Sequence, residues 1–171
     1  MIDEASVTLD VATPSDQLLL ANLLELYIHD LSAAFPDVVQ GPDGRFGYKW
    51  LPLYWSEPDR RMPFIIRHRG TVAGFVLATR GSPSFDDAAV LDVAEFFVLR
   101  RFRRAGVGRA AARLLWQRMP GHWVVRVSEG SPGALPFWRE VIGEFSGGSA
   151  MVSVRPGDPH PQHVFDFVSA G

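Results

Sequence analysis

The chain contains no cysteine, so neither a disulfide framework nor a thiolate metal site is open to it. Lysine is almost absent: Lys49 stands alone and arginine carries the remaining basic charge, a matter of overall composition rather than function. No apolar run approaches the ~20 residues that cross a bilayer, which argues against a membrane protein. Basic residues are outnumbered, with a formal net charge of −2, which argues against a general nucleic-acid binder. The first residues, Met1 to Asp10, are acidic and lack the basic-then-apolar order of a secretory signal. The expectation is a soluble, cytoplasmic protein with no membrane or nucleic-acid partner. What the chain has in quantity is apolar surface to bury. Its 171 residues are 47% hydrophobic, which suits one domain, 1–171, with a sizeable core.

Element signals alternate along the chain. Thr13-Pro14-Ser15-Asp16 has the residues of a helix start, and an apolar stripe from Leu18 to Leu31 predicts a helix over about 14–34, stopped by Pro36. Gly41 to Gly47 predicts a loop. An aromatic patch follows: Phe46, Tyr48, Trp50, Tyr54 and Trp55. These rings suit either a core or the wall of a substrate cleft. Pro63 to His68 and Val72 to Thr79 predict a hairpin around Arg69-Gly70. Gly81 to Asp87 predicts a second loop, and Ala88 to Leu99 a central strand. A helix over Val107 to Met119, a strand over Trp123 to Val127 and a short helix over Leu135 to Ile142 come next. Two closing strands, Phe145 to Val154 and His163 to Val168, flank a loop from Arg155 to Gln162. The fold class is α/β, with a mixed sheet that is antiparallel early and has a parallel crossover in the middle.

The glycine turn Arg103-Arg104-Ala105-Gly106-Val107-Gly108-Arg109 lies between the central strand and the helix after it. Glycines there let the backbone approach a ligand, and the free N–H groups of a helix start favour an anion. No Lys-Ser or Lys-Thr follows Gly108, so a Walker loop is excluded. A Rossmann site fits Gly106-x-Gly108-x-x-Ala111 with Glu129 as the ribose acid. It fits poorly otherwise, because Arg100 to Ala105 intervene after the strand and only one βαβ unit is visible.

The run Val98 to Gly108 resembles the acyl-CoA signature of the GNAT N-acetyltransferase superfamily, a strand and short linker followed by [Q/R]-x-x-G-x-[G/A] at a helix start. Arg103, Gly106 and Gly108 take the signature positions. Ser131-x-x-Ala134-x-x-Phe137-Trp138 resembles the superfamily's N-x-x-A-x-x-[F/Y]-Y. Ala94-Glu95-Phe96-Phe97-Val98 together with Phe137-Trp138 is similar to a bacterial subgroup of predicted acetyltransferases. The resemblance implies the acyl-CoA N-acyltransferase fold, a sheet of six to seven strands flanked by helices. It also implies acetyl-CoA as co-substrate and an amine of a small molecule or protein as acceptor. Phe96, Phe97 and Val98 would lie along the pantetheine arm, with the Val98 N–H polarising the acetyl carbonyl. Arg103, Arg104, Ala105, Gly106, Val107, Gly108 and Arg109 would hold the pyrophosphate, and Ser131 would bond the arm.

Transfer to an amine needs a base, for which Glu95 comes first and Asp92 second. Glu95 sits among apolar residues, which calls either for a partner or for a raised pKa. Simple strand alternation puts Asp92 and Glu95 on opposite faces, and a bulge would switch them. The superfamily's general-acid tyrosine corresponds to Trp138, whose indole N–H releases no proton near neutral pH. Tyr27, Tyr48, Tyr54 or water are left for that role. The departures at Ser131 and Trp138 also fit a module that binds CoA without catalysis. No histidine spacing suggests a metal, and an exposed edge strand would permit a homodimer.

Overall fold

A computed structural model describes residues 6–131 and 133–170. Met1 to Ala5 of the acidic start, Pro132 and Gly171 lie outside them. The strands are β1 (Val7–Val11), β2 (Arg61–His68), β3 (Thr71–Arg80), β4 (Leu91–Val98), β5 (Gly121–Ser128), β6 (Met151–Arg155) and β7 (Gln162–Ser169). The helices are α1 (Gln17–Ser32), α2 (Leu53–Ser56), α3 (Val107–Arg118) and α4 (Ala134–Phe145). All seven strands form one sheet in the order β1-β2-β3-β4-β5-β7-β6.

Local chemistry explains most of these elements. The β2–β3 hairpin turns through Arg69 and Gly70, at φ 50° and 76°, the positive values a two-residue hairpin loop requires. The Thr13 N–H donates to the Asp16 carboxylate at 2.8 Å, and a short 3₁₀ turn over Pro14–Asp16 leads into α1. Helix α4 ends where Gly147 and Gly148 take φ 60° and 80°, the Gly148 N–H bonding the Gly143 carbonyl at 2.9 Å. That ending corrects the expected strand at Phe145 to Val154: Phe145 belongs to α4, and the strand begins at Met151. Strand β1 was not expected at all. Its alternation is only five residues long and hides within an acidic start, but it pairs with β2 from Val7↔His68 to Val11↔Phe64.

The sheet separates two cores. Helices α3 and α4 cover one face with Trp116, Trp138 and Ile142 against Trp123, Phe165 and Phe167. Helices α1 and α2 cover the other with Leu20, Leu24 and Tyr54 against Ile65, Phe75 and Phe97.

The centre of the sheet positions the site. The β4–α3–β5 crossover supplies its single parallel pairing among the described strands. That pairing covers just Leu91↔Trp123, Asp92↔Val124 and Val93↔Val125, after which β4 and β5 part. On its other edge β4 carries a bulge. Leu77 pairs with Glu95 and Ala78 with Val93, which leaves Ala94 without a partner. An extra residue shifts the side-chain alternation by one. Leu91, Val93, Phe96 and Val98 therefore serve the α3–α4 core, while Phe97 serves the α1 core. Asp92 and Glu95 end on the same face, which corrects simple alternation.

Candidate active site

The opening between β4 and β5 has a backbone-lined side at the start of α3. After Val98 the chain makes a 3₁₀ turn over Arg100–Phe102, then enters the left-handed region at Arg104 (φ 59°) and Gly106 (φ 89°). Past the Arg103 N–H, the next backbone bond donated comes from the Ala110 N–H to the Gly106 carbonyl at 3.0 Å; among the described residues the N–H groups of Arg104 to Arg109 donate none. Six successive free N–H groups at a helix start make an anion cradle. Gly108 sits in close packing, since a Cβ there would stand 3.2 Å from the Phe137 ring and 3.6 Å from the Val98 side chain.

The arginines of this turn divide in role. The Arg103 guanidinium turns back, donating to the Val98 carbonyl at 2.7 Å and to Asp30 of α1 at 2.7 Å. Arg100 reaches the other Asp30 oxygen at 2.6 Å. Burial raises the Asp30 pKa, but the bonds from Arg103 and Arg100 outweigh it and hold the carboxyl below its usual value. Arg109 pairs with Glu140 and Glu144 of α4. The Arg104 side chain is exposed and makes no bond among the described residues. Phe96 packs against Phe137 and Trp138, with ring centroids 6.0 and 4.9 Å away, whereas Phe97 lies beneath Arg103 on the α1 side. The Leu99 N–H is bonded to the Ala73 carbonyl of β3 at 2.8 Å. By alternation the Val98 N–H points away from β3, into the opening. Ser131 sits in the turn before α4, its N–H bonded to the Ser128 carbonyl at 3.1 Å.

The opposite side is made of side chains. Glu95 is half-buried and accepts hydrogen bonds from Tyr27 Oη at 2.6 Å and Tyr48 Oη at 3.1 Å. Tyr54, the last of the chain's three tyrosines, is buried and lines the same cleft. Burial pushes the Glu95 carboxyl above its ordinary 4.5, against the pull of Tyr27, Tyr48 and the Arg126 charge. Burial and the Glu95 charge push the Tyr27 and Tyr48 hydroxyls above their ordinary 10.0, so both stay protonated donors.

Asp92 has a different environment. It is fully buried and takes a two-pronged bond from Arg126, at 2.9 and 3.0 Å, plus one from the Ser82 hydroxyl. Both its carboxylate oxygens are engaged, and its charge is balanced by a guanidinium. Glu95 has no such ion pair among the described residues.

The cleft beside Glu95 encloses about 600 Å³. Its walls are the Tyr48–Tyr54 segment, the ends of β2 and β3, the loop 81–88, and Ala94, Glu95 and Arg126 at the strand opening. The aromatic patch therefore contributes to the cleft through Tyr48, Trp50 and Tyr54, while Trp55 packs against the α1 core. Among the described residues no group of three or more His, Asp or Glu side chains could hold a metal ion, and no helix is long and apolar enough to cross a membrane.

The family model for the acetyltransferase (GNAT) family matches residues 22–143, most of the chain. This chain belongs to the GNAT acetyltransferase family. Solved structures of GNAT proteins share its fold at low identity. A GCN5-related N-acetyltransferase from Kribbella flavida gives a TM-score of 0.66 at 17% identity over 97% of this chain and 99% of that one. The spermidine N-acetyltransferase of Vibrio cholerae, solved with CoA and spermine, gives 0.64 at 10% over 97% of each chain. The ribosomal-protein-S18-alanine N-acetyltransferase of Escherichia coli gives 0.61 at 12% over 96% of this chain and 95% of that one. No curated protein sequence matches the chain.

GNAT membership and the sheet together remove the Rossmann alternative, which needs several parallel βαβ units. Glu129, its ribose acid, is instead bonded to His163 at 2.7 Å. Sequence reasoning reaches Glu95 and names all three tyrosines, yet it gives no sign of Arg126, Ser82 or Asp30. Arg126 finds Asp92 from 34 positions away and Asp30 finds Arg103 from 73, with no local pattern to mark either pair.

Proposed function

We propose that this GNAT chain, acting as a single domain, is an acetyl-CoA-dependent N-acetyltransferase in which Glu95 is the general base. The observation that carries the assignment is Glu95 itself, a partly buried carboxylate without an ion pair, its pKa raised, at the junction of the strand opening and a small-molecule-sized cleft. The free N–H groups of Arg104 to Arg109 suit the pyrophosphate of CoA, with the exposed Arg104 adding positive charge. Gly106 and Gly108 keep the approach clear. Phe96 and Val98 suit the pantetheine side, and the Ser131 hydroxyl is available to the arm. Phe97 and the side chains of Arg103 and Arg109 support the turn from beneath. Asp92 is a positioning residue that fixes Arg126.

In this assignment Glu95 takes the proton from the acceptor ammonium, directly or through one water. The amine nitrogen bonds the acetyl carbon while the Val98 N–H steadies the carbonyl oxygen, and the carbon–sulfur bond breaks. Tyr27 and Tyr48 are occupied as donors to Glu95, and Trp138 offers only an indole N–H. The nitrogen's second proton therefore passes through water in the open cleft to the departing thiolate, and Glu95 returns the first to solvent.

The test combines calorimetry and thermal melting with acetyl-CoA, followed by thiol release across a panel of small amines and peptide N-termini. Binding with amine-dependent thiol release is expected. No binding at saturating acetyl-CoA sinks the assignment; binding without turnover across the panel leaves the protein a CoA-holding module.

A further inference from the structure

The cleft that holds Glu95 is walled by four arginines, and they are not equivalent. Arg61 is paired with Glu57 at 2.8 Å and Arg126 with Asp92 at 2.9 Å. Arg60 and Arg80 are exposed and have no ion pair or side-chain hydrogen bond among the described residues. They are also neighbours, because the Arg80 N–H donates to the Arg60 carbonyl at 2.8 Å where β2 and β3 end. Like charges side by side on a sheet repel and contribute nothing to folding. The Arg60 guanidinium lies against the cleft wall, 4.0 Å from where a Cβ on Gly81 would stand. Gly81 has φ +83° there and carries no side chain to cover it.

The 81–88 loop brings acid to the cleft as well. Asp86 and Asp87 of the 81–88 loop line the same cleft, and Asp87 is turned partly to its own backbone by a 2.8 Å bond from the Ala89 N–H. A purely cationic acceptor would have to pass two uncompensated arginines. An acceptor that carries a carboxylate beside its amine offers those arginines a counter-charge. Guanidinium groups match a planar carboxylate in two-pronged geometry.

We infer that Arg60 and Arg80 bind a carboxylate on the acceptor, so that the substrate is a small amine of the amino-acid class. The inference rests on the acetyltransferase reading above and adds to it the chemistry of the acceptor. The carboxylate lies at the β2–β3 end of the cleft and the amine points inward to Glu95.

Thiol release from acetyl-CoA is measured with the common amino acids and, beside them, matched amines lacking the carboxylate: phenethylamine for phenylalanine and cadaverine for lysine. Phosphoethanolamine supplies a different anion. Amino acids are expected to turn over with a KM about ten-fold or more below their decarboxylated partners. Arg60→Gln and Arg80→Gln should each erase most of that advantage by raising KM for the amino acid, while turnover of the decarboxylated amine does not fall. Equal use of the matched amines, preference for phosphoethanolamine, or indifference to both substitutions overturns the inference while the acetyltransferase reading stands. Melting shifts with N-acetyl amino acids in the presence of CoA give a readout that needs no turnover. Shifts that vanish in Arg60→Gln and Arg80→Gln without activity in any amine would sustain the carboxylate site and sink the acetyltransferase reading. Absence of any shift and of any amino-acid turnover overturns the inference.

Discussion

The two sides of the β4–β5 opening are made of different materials. The α3 side offers backbone: six free N–H groups, a left-handed glycine at 106 and a glycine at 108 pressed against Phe137. Its side chains mostly turn away, Arg103 to Asp30 and Arg109 to α4. The cleft side offers side chains, with Tyr27 from α1, Tyr48 from a loop, Glu95 from β4 and Arg126 from β5 meeting around one proton site. In the proposed assignment, backbone recognises what all acyl donors share. Side chains set what is particular to an acceptor. One fold can thus keep the donor half and vary the other.

The sharpest way to break the comparison is Glu95→Gln. Turnover should fall about a hundred- to a thousand-fold while acetyl-CoA binding by calorimetry stays unchanged. An equal loss of binding would mean the two sides are not separate.

Asp92→Asn comes next and should act on stability instead. It removes the charge that balances Arg126, whose side chain is 22% exposed, and should cost about 2–3 kcal/mol in denaturant unfolding. Two carboxylates on one face, three positions apart, would then separate into one that serves chemistry and one that serves structure. A stable Asp92→Asn protein with lost turnover would reverse those roles.

On the donor side, Gly106→Ala forces a side chain to φ 89°, at a cost of about 1–2 kcal/mol. The expected readout is a rise in KM for acetyl-CoA of roughly ten-fold, since the same strain unseats the cradle. The acid limb of the pH–rate profile should not move.

The smallest effect tunes the base. A base works deprotonated, so a raised Glu95 pKa puts the acid limb above the usual glutamate range. Tyr48→Phe removes a bond that favours the charged form and should carry the limb about one pH unit higher still. A downward shift would contradict the geometry. Stability has a matching sign. The folded state holds the Glu95 proton more tightly than the unfolded chain, so stability declines as pH rises from 4.5 through the folded pKa, and Glu95→Gln should abolish that slope.

How far the sequence carries differs between the same two sides. The helix from Val107, the hairpin at Arg69-Gly70 and the glycine turn follow from neighbours in sequence, because caps, φ values and apolar periodicity act within a few residues. Strand β1 escaped because five alternating residues are too few to distinguish from an acidic tail. On the acceptor side Glu95 was legible as an acid among apolar residues. Its partners were not, since Tyr27 lies 68 positions away and Tyr48 lies 47.

By itself, then, the sequence determined the backbone features of the donor half: where glycine permits positive φ, where a helix begins, and that a strand precedes it. The tertiary structure alone decided the rest. The bulge at Ala94 brought Asp92 and Glu95 to one face, Arg126 took the first, and the tyrosines gathered on the second. The reason is range: dihedral preferences and capping are local, while burial and charge pairing depend on which distant segments the sheet brings together.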